Sequence, residues 1–126
     1  MIETALNKVR TQLQNNSIPY EYMRWTAPVD DRYWIGEYSE VSTETEDGSK
    51  EYALTLTGTT RESWYELEKD RAKIENLFPS VGGSRFPNTK GAIIIFYQNS
   101  FPVPTGEADL KRIQVNLQIK AWKGMK

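Results

Sequence analysis

The side chains that most often carry out enzymatic chemistry are missing from this sequence. It contains no histidine and no cysteine. Their absence excludes a histidine base, a cysteine nucleophile, a Ser-His-Asp triad and the usual zinc and haem ligand sets. An enzyme built from this chain would have to use carboxylates, a Ser-Lys pair or a metal ion held by oxygen ligands.

Two groups of acidic residues are the remaining candidates for such chemistry. Asp30 and Asp31 are adjacent, but they follow Pro28 just before a predicted strand, where aspartate is a common turn residue. The second group surrounds the tip of a predicted hairpin and consists of Glu44, Glu46, Asp47 and Glu51. It lacks the ordered spacing of a calcium-binding loop, so a solvated hairpin tip is the better interpretation.

Phosphate and nucleic-acid sites are weakly indicated. Residues 82–85 read Gly-Gly-Ser-Arg, but the Walker spacing is absent, and glycines after a helix favour helix termination. Basic residues gather near the C-terminus: Lys111, Arg112, Lys120, Lys123 and Lys126. Because the formal net charge of the chain is -1, no global basic field is available to hold nucleic acid.

We therefore predict that the protein is not an enzyme and has no catalytic residues, no cofactor and no bound metal. Two alternatives from other classes stay open. A small nucleic-acid-binding module would use the C-terminal lysines and show a steep salt dependence of DNA binding. A carboxylate-dependent hydrolase would need Asp30, Asp31 or Asp109 in a pocket and would show pH-dependent activity.

The length of 126 residues fits a single domain spanning 1–126. The longest apolar run, residues 92–97, is too short to cross a bilayer, and the N-terminus lacks the pattern of a signal peptide. We expect a soluble, intracellular domain with no membrane partner.

Hydrophobic periodicity predicts the first elements. An apolar stripe at helical spacing indicates a first helix that ends near residues 15–17; the stripe comprises Ile2, Ala5, Leu6, Val9 and Leu13. Residues 18–25 are rich in aromatic and branched side chains and predict a strand with Tyr20 and Tyr22 on one face.

A long hairpin is predicted from Tyr33 to Gly58, with Asp47-Gly48 as a type I′ turn. A two-residue turn places Val41 opposite Leu54, and Glu44 opposite Glu51. This register predicts one apolar face, formed by Ile35, Val41, Tyr52, Leu54 and Leu56. It places Trp34 and Tyr38 on the other, mainly polar face.

A second helix follows. Its predicted start is a capping box at Ser63/Glu66 or at Thr59/Glu62, and its buried stripe is Trp64, Leu67, Ile74 and Phe78. The outer face is predicted to carry the i,i+3 pairs Glu66/Lys69, Glu68/Arg71 and Asp70/Lys73.

Two more strands are predicted near the C-terminus. A buried central strand at 92–97, a long turn at 99–109 and an alternating strand at 112–122 follow. The order α-β-β-β-α-β-β indicates an α+β domain with two helices on a mainly antiparallel sheet.

The 4 Trp, 7 Tyr and 4 Phe residues indicate either a core rich in rings or rings that face another protein. The hairpin strands would run about 40 Å, slightly more than the ~36 Å width expected for a chain of this size. Either the hairpin packs on its own domain or it contacts a neighbour. If it contacts a neighbour, a basic partner surface would explain the acidic tip. The predicted interface residues are Trp34, Tyr38, Glu44, Glu46, Asp47, Glu51, Phe101, Val103, Lys120 and Trp122.

Two segments of the sequence resemble small tail-completion proteins of long-tailed phages and prophages of Gram-positive bacteria. They are DRYWIGEYSEVSTETEDGSKEYALTLTGTTRESWYELEKDRAKIENLF and FYQNSFPVPTGEADLKRIQVNLQIKAWK. The predicted order of elements is also similar to that of tail-terminator proteins.

The resemblance implies a virion structural protein that caps the tail tube, commonly as a six-membered homo-oligomeric ring, and joins tail to head. The expected partners are the chain itself, the tail tube protein and head–tail connector proteins. DNA is expected to pass through the lumen without specific binding. The implied location is the tail or neck of the virion, with the host cytoplasm as the place of assembly. Another neck or minor tail component is the alternative.

Overall fold

The computed structural model describes residues 2–25, 32–42, 48–88 and 91–123. The two helices are α1 (Ile2–Asn15) and α2 (Trp64–Leu77). The strands are β1 (Tyr20–Tyr22), β2 (Arg32–Ser42), β3 (Ser49–Thr60), β4 (Ser84–Asn88), β5 (Gly91–Pro102) and β6 (Lys111–Lys123). Neither helix is long and apolar enough to cross a membrane, as far as the described residues go.

The strands form one sheet in the order β1-β2-β3-β6-β5-β4. All neighbours are antiparallel except β1 and β2, which are parallel. The predicted α+β class and mainly antiparallel sheet are confirmed, and β4 is an additional strand. Strand β3 pairs with β6 along its whole length, so the described part of the hairpin lies within the sheet.

One face of the sheet carries both helices. The inward side chains of β3 and β6 alternate with polar ones, as predicted, and join the buried residues of α1 and α2 in a single core. The central members are Val9, Leu13, Leu54, Leu56, Leu67, Ile74, Val115 and Leu117. Trp64, by contrast, is exposed, so its predicted place in the buried stripe is wrong. It is the first residue of α2, and the buried positions begin at Leu67.

The predicted register of the hairpin is wrong. Tyr38 rather than Val41 lies opposite Leu54, a shift of three residues, and a bulge lies between Glu40 and Ser42. An odd shift moves every side chain of a strand to the other face. As a result Trp34 is fully buried, whereas Val41 is 61% exposed.

Glycine makes room for Trp34. Gly58 lies directly opposite it, and a Cβ atom at position 58 would come within 2.5 Å of the indole ring. Gly36 is covered in the same way by the ring of Tyr20. These two close contacts fix β1 and β2 against the core, because no other residue type leaves that space.

A buried ion pair connects α2 to β2. Asp70 is 1% exposed and accepts hydrogen bonds from Arg32 Nε at 2.5 Å and Trp34 Nε1 at 2.8 Å. Asp70 therefore does not form the predicted outer pair with Lys73. The Lys73 ammonium donates instead to the carbonyl of Asn16 at 3.2 Å.

Other boundaries differ from the predictions. Strand β1 has only three residues, and β5 continues to Pro102, so the predicted 99–109 turn is shortened to the segment between β5 and β6. Ser63 is the N-cap of α2, but its side chain makes no capping hydrogen bond. The predicted Glu68–Arg71 pair is present at 2.8 Å.

Candidate functional site

The sheet face that carries no helix presents polar side chains from several strands. We call it the open sheet face. In β3 the even-numbered side chains are in the core, so the odd-numbered ones point to the open sheet face. In β6 the odd-numbered side chains are in the core, so the even-numbered ones point to the open sheet face. Its side chains include Glu51, Thr55, Thr57, Arg112, Gln114, Asn116, Gln118 and Lys120.

Hydrogen bonds between side chains cross this face. Asn116 Oδ1 accepts from Thr55 Oγ1 and from Gln114 Nε2, each at 3.1 Å. Asn116 Nδ2 donates to Asn99 Oδ1 at 2.7 Å. The network ties β3, β6 and β5 together and holds amide groups at the surface, where they can exchange hydrogen bonds with a partner.

Glu51 lies in a different environment from the predicted one. It is paired across the sheet with Lys120 and with Ser42, and it accepts a hydrogen bond from Gln118 Nε2 at 2.6 Å. The predicted pairing of Glu44 with Glu51 is therefore wrong. The residues opposite Glu51 are a serine and a lysine, so Glu51 faces no like charge across either strand pair.

Trp122 and Phe101 mark opposite ends of the open sheet face. Trp122 pairs with Ser49 and is half-buried, whereas Phe101 pairs with Gln114 and is 46% exposed. Positions 114 and 122 are about 26 Å apart along β6 at ~3.3 Å per residue. Val103 is half-buried beside Phe101, and its N–H donates to the carbonyl of Arg112 at 2.9 Å.

A second uncovered surface lies on β2, where β1 ends. Tyr22 is the last residue of β1 and pairs with Gly36, and no described strand lies beyond that point. Residues 37–41, which we call the β2 edge, are all exposed. Such an edge exposes unpaired backbone groups and is a template for pairing with another strand.

A row of tyrosines borders the β2 edge. The rings of Tyr22 and Tyr38 stack at 6.3 Å, and Tyr38 meets Tyr52 edge-to-face at 6.0 Å. Partial burial raises the pKa of Tyr22, with a smaller contribution from Tyr38 and then Glu37. Tyr38 is 42% exposed, so this predicted interface residue is available to a partner. Trp34 is not available, because it lies in the core.

Several exposed apolar side chains escaped the sequence predictions. Tyr65 is exposed at the start of α2, under the ammonium of Lys69 at 5.5 Å, and Val81 is 89% exposed in the turn before β4. Helical spacing would have found Tyr65, because it lies off the stripe of Leu67 and Ile74. Nothing in the sequence around Val81 distinguishes it.

Six of the candidate residues lie outside the described residues. They are Asp30, Asp31, Glu44, Glu46, Asp47 and Lys126. Within the described ranges, no group of three or more acidic side chains is placed to hold a metal ion. The described surfaces offer exposed rings, which are enriched at protein–protein interfaces, beside amides and an opposed acid and base that can form hydrogen bonds.

Comparison with known proteins gives a likeness in fold only. No protein-family model and no curated protein sequence matches the chain. Its fold is shared with a chain from the virion of a native gene transfer agent particle. The TM-score is 0.65 at 10% identity, covering 90% of this chain and 84% of that chain. A second solved protein matches with a TM-score of 0.67 at 11% identity, covering 100% and 99% of the two chains.

Proposed function

We propose that this chain is a virion structural protein of a long-tailed phage or prophage of Gram-positive bacteria. In this role it caps the tail tube as a six-membered ring of identical subunits and helps to join the tail to the head. The observation that carries the proposal is the shared fold with a gene transfer agent virion chain over 90% of the present chain. The resemblance of segments 31–78 and 96–123 to tail-completion proteins supports it.

The surfaces of the molecule suit such a role. Phe101 and the Glu51–Lys120 pair lie on the open sheet face, and Tyr38 borders the β2 edge. A ring subunit needs two different contact surfaces, because head-to-tail contacts close a ring. Six subunits about 36 Å wide would enclose a hole of similar width, by extension of the size rule. A chain with net charge -1 would let DNA pass without binding it strongly.

The proposed partners are therefore further copies of the chain, the tail tube protein and the head–tail connector proteins. The protein would be found in the virion tail or neck, after folding in the host cytoplasm. Another neck or minor tail component is the alternative role, and the same fold likeness supports it.

Native mass spectrometry and negative-stain microscopy across a concentration series test the ring. We expect a six-subunit species with a central hole. Phe101→Ser should reduce the ring population at a fixed concentration. Val81→Ser is the matched control, since Val81 is 89% exposed and lies outside the predicted interface.

A chain that stays monomeric at every concentration would contradict the ring. If that monomer still copurifies with particles, the neck or minor-tail role is favoured. If it is also missing from purified particles, the structural role itself is wrong.

A further inference from the structure

We propose that the β2 edge pairs with the β2 edge of a second copy of this chain. The two strands run antiparallel about a two-fold axis at Ser39 and join the two sheets into one. The contact goes beyond the proposed role in the virion, because it is a two-fold contact and not the head-to-tail contact of a ring. The geometry of the backbone in the described residues carries the argument.

Two hydrogen bonds show which backbone groups of β2 point outward. The N–H of Trp34 donates to the carbonyl of Pro19 at 2.9 Å, and the carbonyl of Gly36 accepts from Met23 N–H at 2.8 Å. Backbone groups of a strand alternate between its two neighbours. The N–H and C=O of Tyr38 and Glu40 therefore point away from β3, along the edge that β1 leaves uncovered.

An antiparallel pairing about Ser39 satisfies all four of these groups in each copy. Tyr38 of one copy lies opposite Glu40 of the other, and the pair exchanges two backbone hydrogen bonds; symmetry doubles them. No like charges lie directly opposite each other. Glu40 also has a counter-ion in its own chain, because Lys50 Nζ lies 3.7 Å from its carboxylate.

The side chains favour the same arrangement. Tyr38 and Glu40 pair with Leu54 and Tyr52, so they are on the face that carries the helices. Residues paired across antiparallel strands share a face. The joined sheet would thus keep the helices of both copies on one side, with the stacked Tyr22 and Tyr38 rings beside the junction.

The opposite edge of the sheet fits less well. The N–H of Tyr97 points away from β6 to the carbonyl of Phe78, so the backbone groups of Ile93 and Ile95 also point away from β6, toward β4. Their partners in β4 are Phe86 and Ser84, and the backbone groups of Arg85 and Pro87 therefore point outward. Proline has no N–H, which is a common protection of edge strands. In addition, Arg85 pairs with Ile94, which pairs with Lys120 of the open sheet face. Antiparallel pairing of β2 with β4 would therefore put the helices of the two copies on opposite faces.

This contact closes after two copies, because a two-fold interface uses the same surface on both. It is thus separate from the head-to-tail contacts of a ring. Its test measures the register of a disulfide between two β2 edges, so it can fail while the ring and the virion role hold, and the reverse.

Disulfide crosslinking reads out the register directly, since the chain contains no cysteine. In Ser39→Cys the two cysteines would face each other in a non-hydrogen-bonded pair, about 4.5 Å apart between Cα atoms, within the range of a disulfide. In Glu37→Cys, the control, the cysteines would be offset by four residues, about 13 Å. We expect Ser39→Cys to form dimers under diamide at least ~10-fold faster than Glu37→Cys. A mixture of Glu37→Cys and Val41→Cys should crosslink between the two variants.

A second pair of variants separates backbone pairing from side-chain contact. In the Ser39→Cys background, Glu40→Pro removes an outward N–H without removing a bond to β3, whereas Glu40→Ala keeps that N–H. Circular dichroism and thermal melting of the reduced proteins establish that each is folded. Crosslinking should be lost with proline and retained with alanine. The proposal is overturned if Ser39→Cys reacts no faster than Glu37→Cys, or if folded Glu40→Pro still crosslinks.

Discussion

The buried Asp70–Arg32 pair should contribute strongly to the stability of the fold. Asp70 lies in the core side of α2 and accepts hydrogen bonds from Arg32 Nε, from Arg32 Nη2 at 3.2 Å and from the indole of Trp34. In Asp70→Asn, the shape is conserved, but the negative charge is lost and an NH₂ group faces other N–H donors. The guanidinium of Arg32, which is only 13% exposed, is left without its main counter-ion.

The burial of the Asp70–Arg32 pair determines how much unfolding free energy Asp70→Asn should lose. Removing one partner of a buried pair typically costs about 3–5 kcal/mol. The carboxylate of Glu66 lies 3.8 Å from Arg32 Nη1, but it is 37% exposed and compensates only in part. For a domain of this size that corresponds to a fall in melting temperature of roughly 10–20 °C. The exposed pair of Arg71 and Glu75, at 2.9 Å, is the matched control, and Glu75→Gln should cost less than about 0.5 kcal/mol.

Urea denaturation followed by circular dichroism measures both variants. The double variant Arg32→Met with Asp70→Leu should recover part of the loss, since it removes both charges of the buried pair. A cost of Asp70→Asn below about 1 kcal/mol, close to that of Glu75→Gln, would show that Asp70 is solvated. The described packing of α2 against β2 would then be incorrect.

Two further predictions concern the aromatic residues of β1 and β2. Gly58→Ala should destabilise the fold by about 1–3 kcal/mol in urea denaturation, because its Cβ would strike the buried indole of Trp34, whereas Thr57→Ala should cost less. Burial raises the pKa of Tyr20, so the fold favours its neutral form. Above pH 10 the free energy of unfolding should fall by up to about 1.4 kcal/mol per pH unit, and Tyr20→Phe should abolish that part of the slope. At pH 7, Tyr20→Phe should change the free energy of unfolding little, since the hydroxyl has no hydrogen-bond partner among the described residues. A large loss of stability at pH 7, or an unchanged slope above pH 10, would show that the Tyr20 hydroxyl is not buried as described.

Much of the fold could be predicted because several elements have a strong period. The stripe of Ala5, Val9 and Leu13 predicts α1, and the alternation along β6 predicts a strand with one buried face, as the structure confirms. Such patterns report which side of an element is apolar, and they are local.

The hairpin register was predicted wrongly, because the apolar pattern of β2 is ambiguous and a bulge interrupts its pairing with β3. Trp34 and Ile35 are both apolar, so either face of β2 could have been the buried one. The glycine opposite Trp34 decides the matter, since only Gly58 leaves room for an indole. A search for large aromatics facing glycines would have favoured the correct register.

The burial of Asp70 and the grouping of the interface residues could not be predicted, because both depend on contacts between distant parts of the chain. A charged residue on a helix is solvated in most cases, and its burial here requires Arg32, which is 38 residues away in the sequence. The predicted interface residues are separated by the fold: Trp34 is buried, Tyr38 borders the β2 edge, and the Glu51–Lys120 pair lies on the open sheet face. Single-sequence patterns carry no information on which exposed residues a partner covers.

The central claim, a structural role at the end of the tail tube, is tested most directly by cryo-electron microscopy of purified particles. The account predicts six copies of this α+β fold in a ring between the tail tube and the head, with DNA or an open channel through the centre. Particles assembled without the protein should have tubes of uncontrolled length and unattached heads. Complete, normal particles with no copy of this fold in the tail or neck would contradict the account.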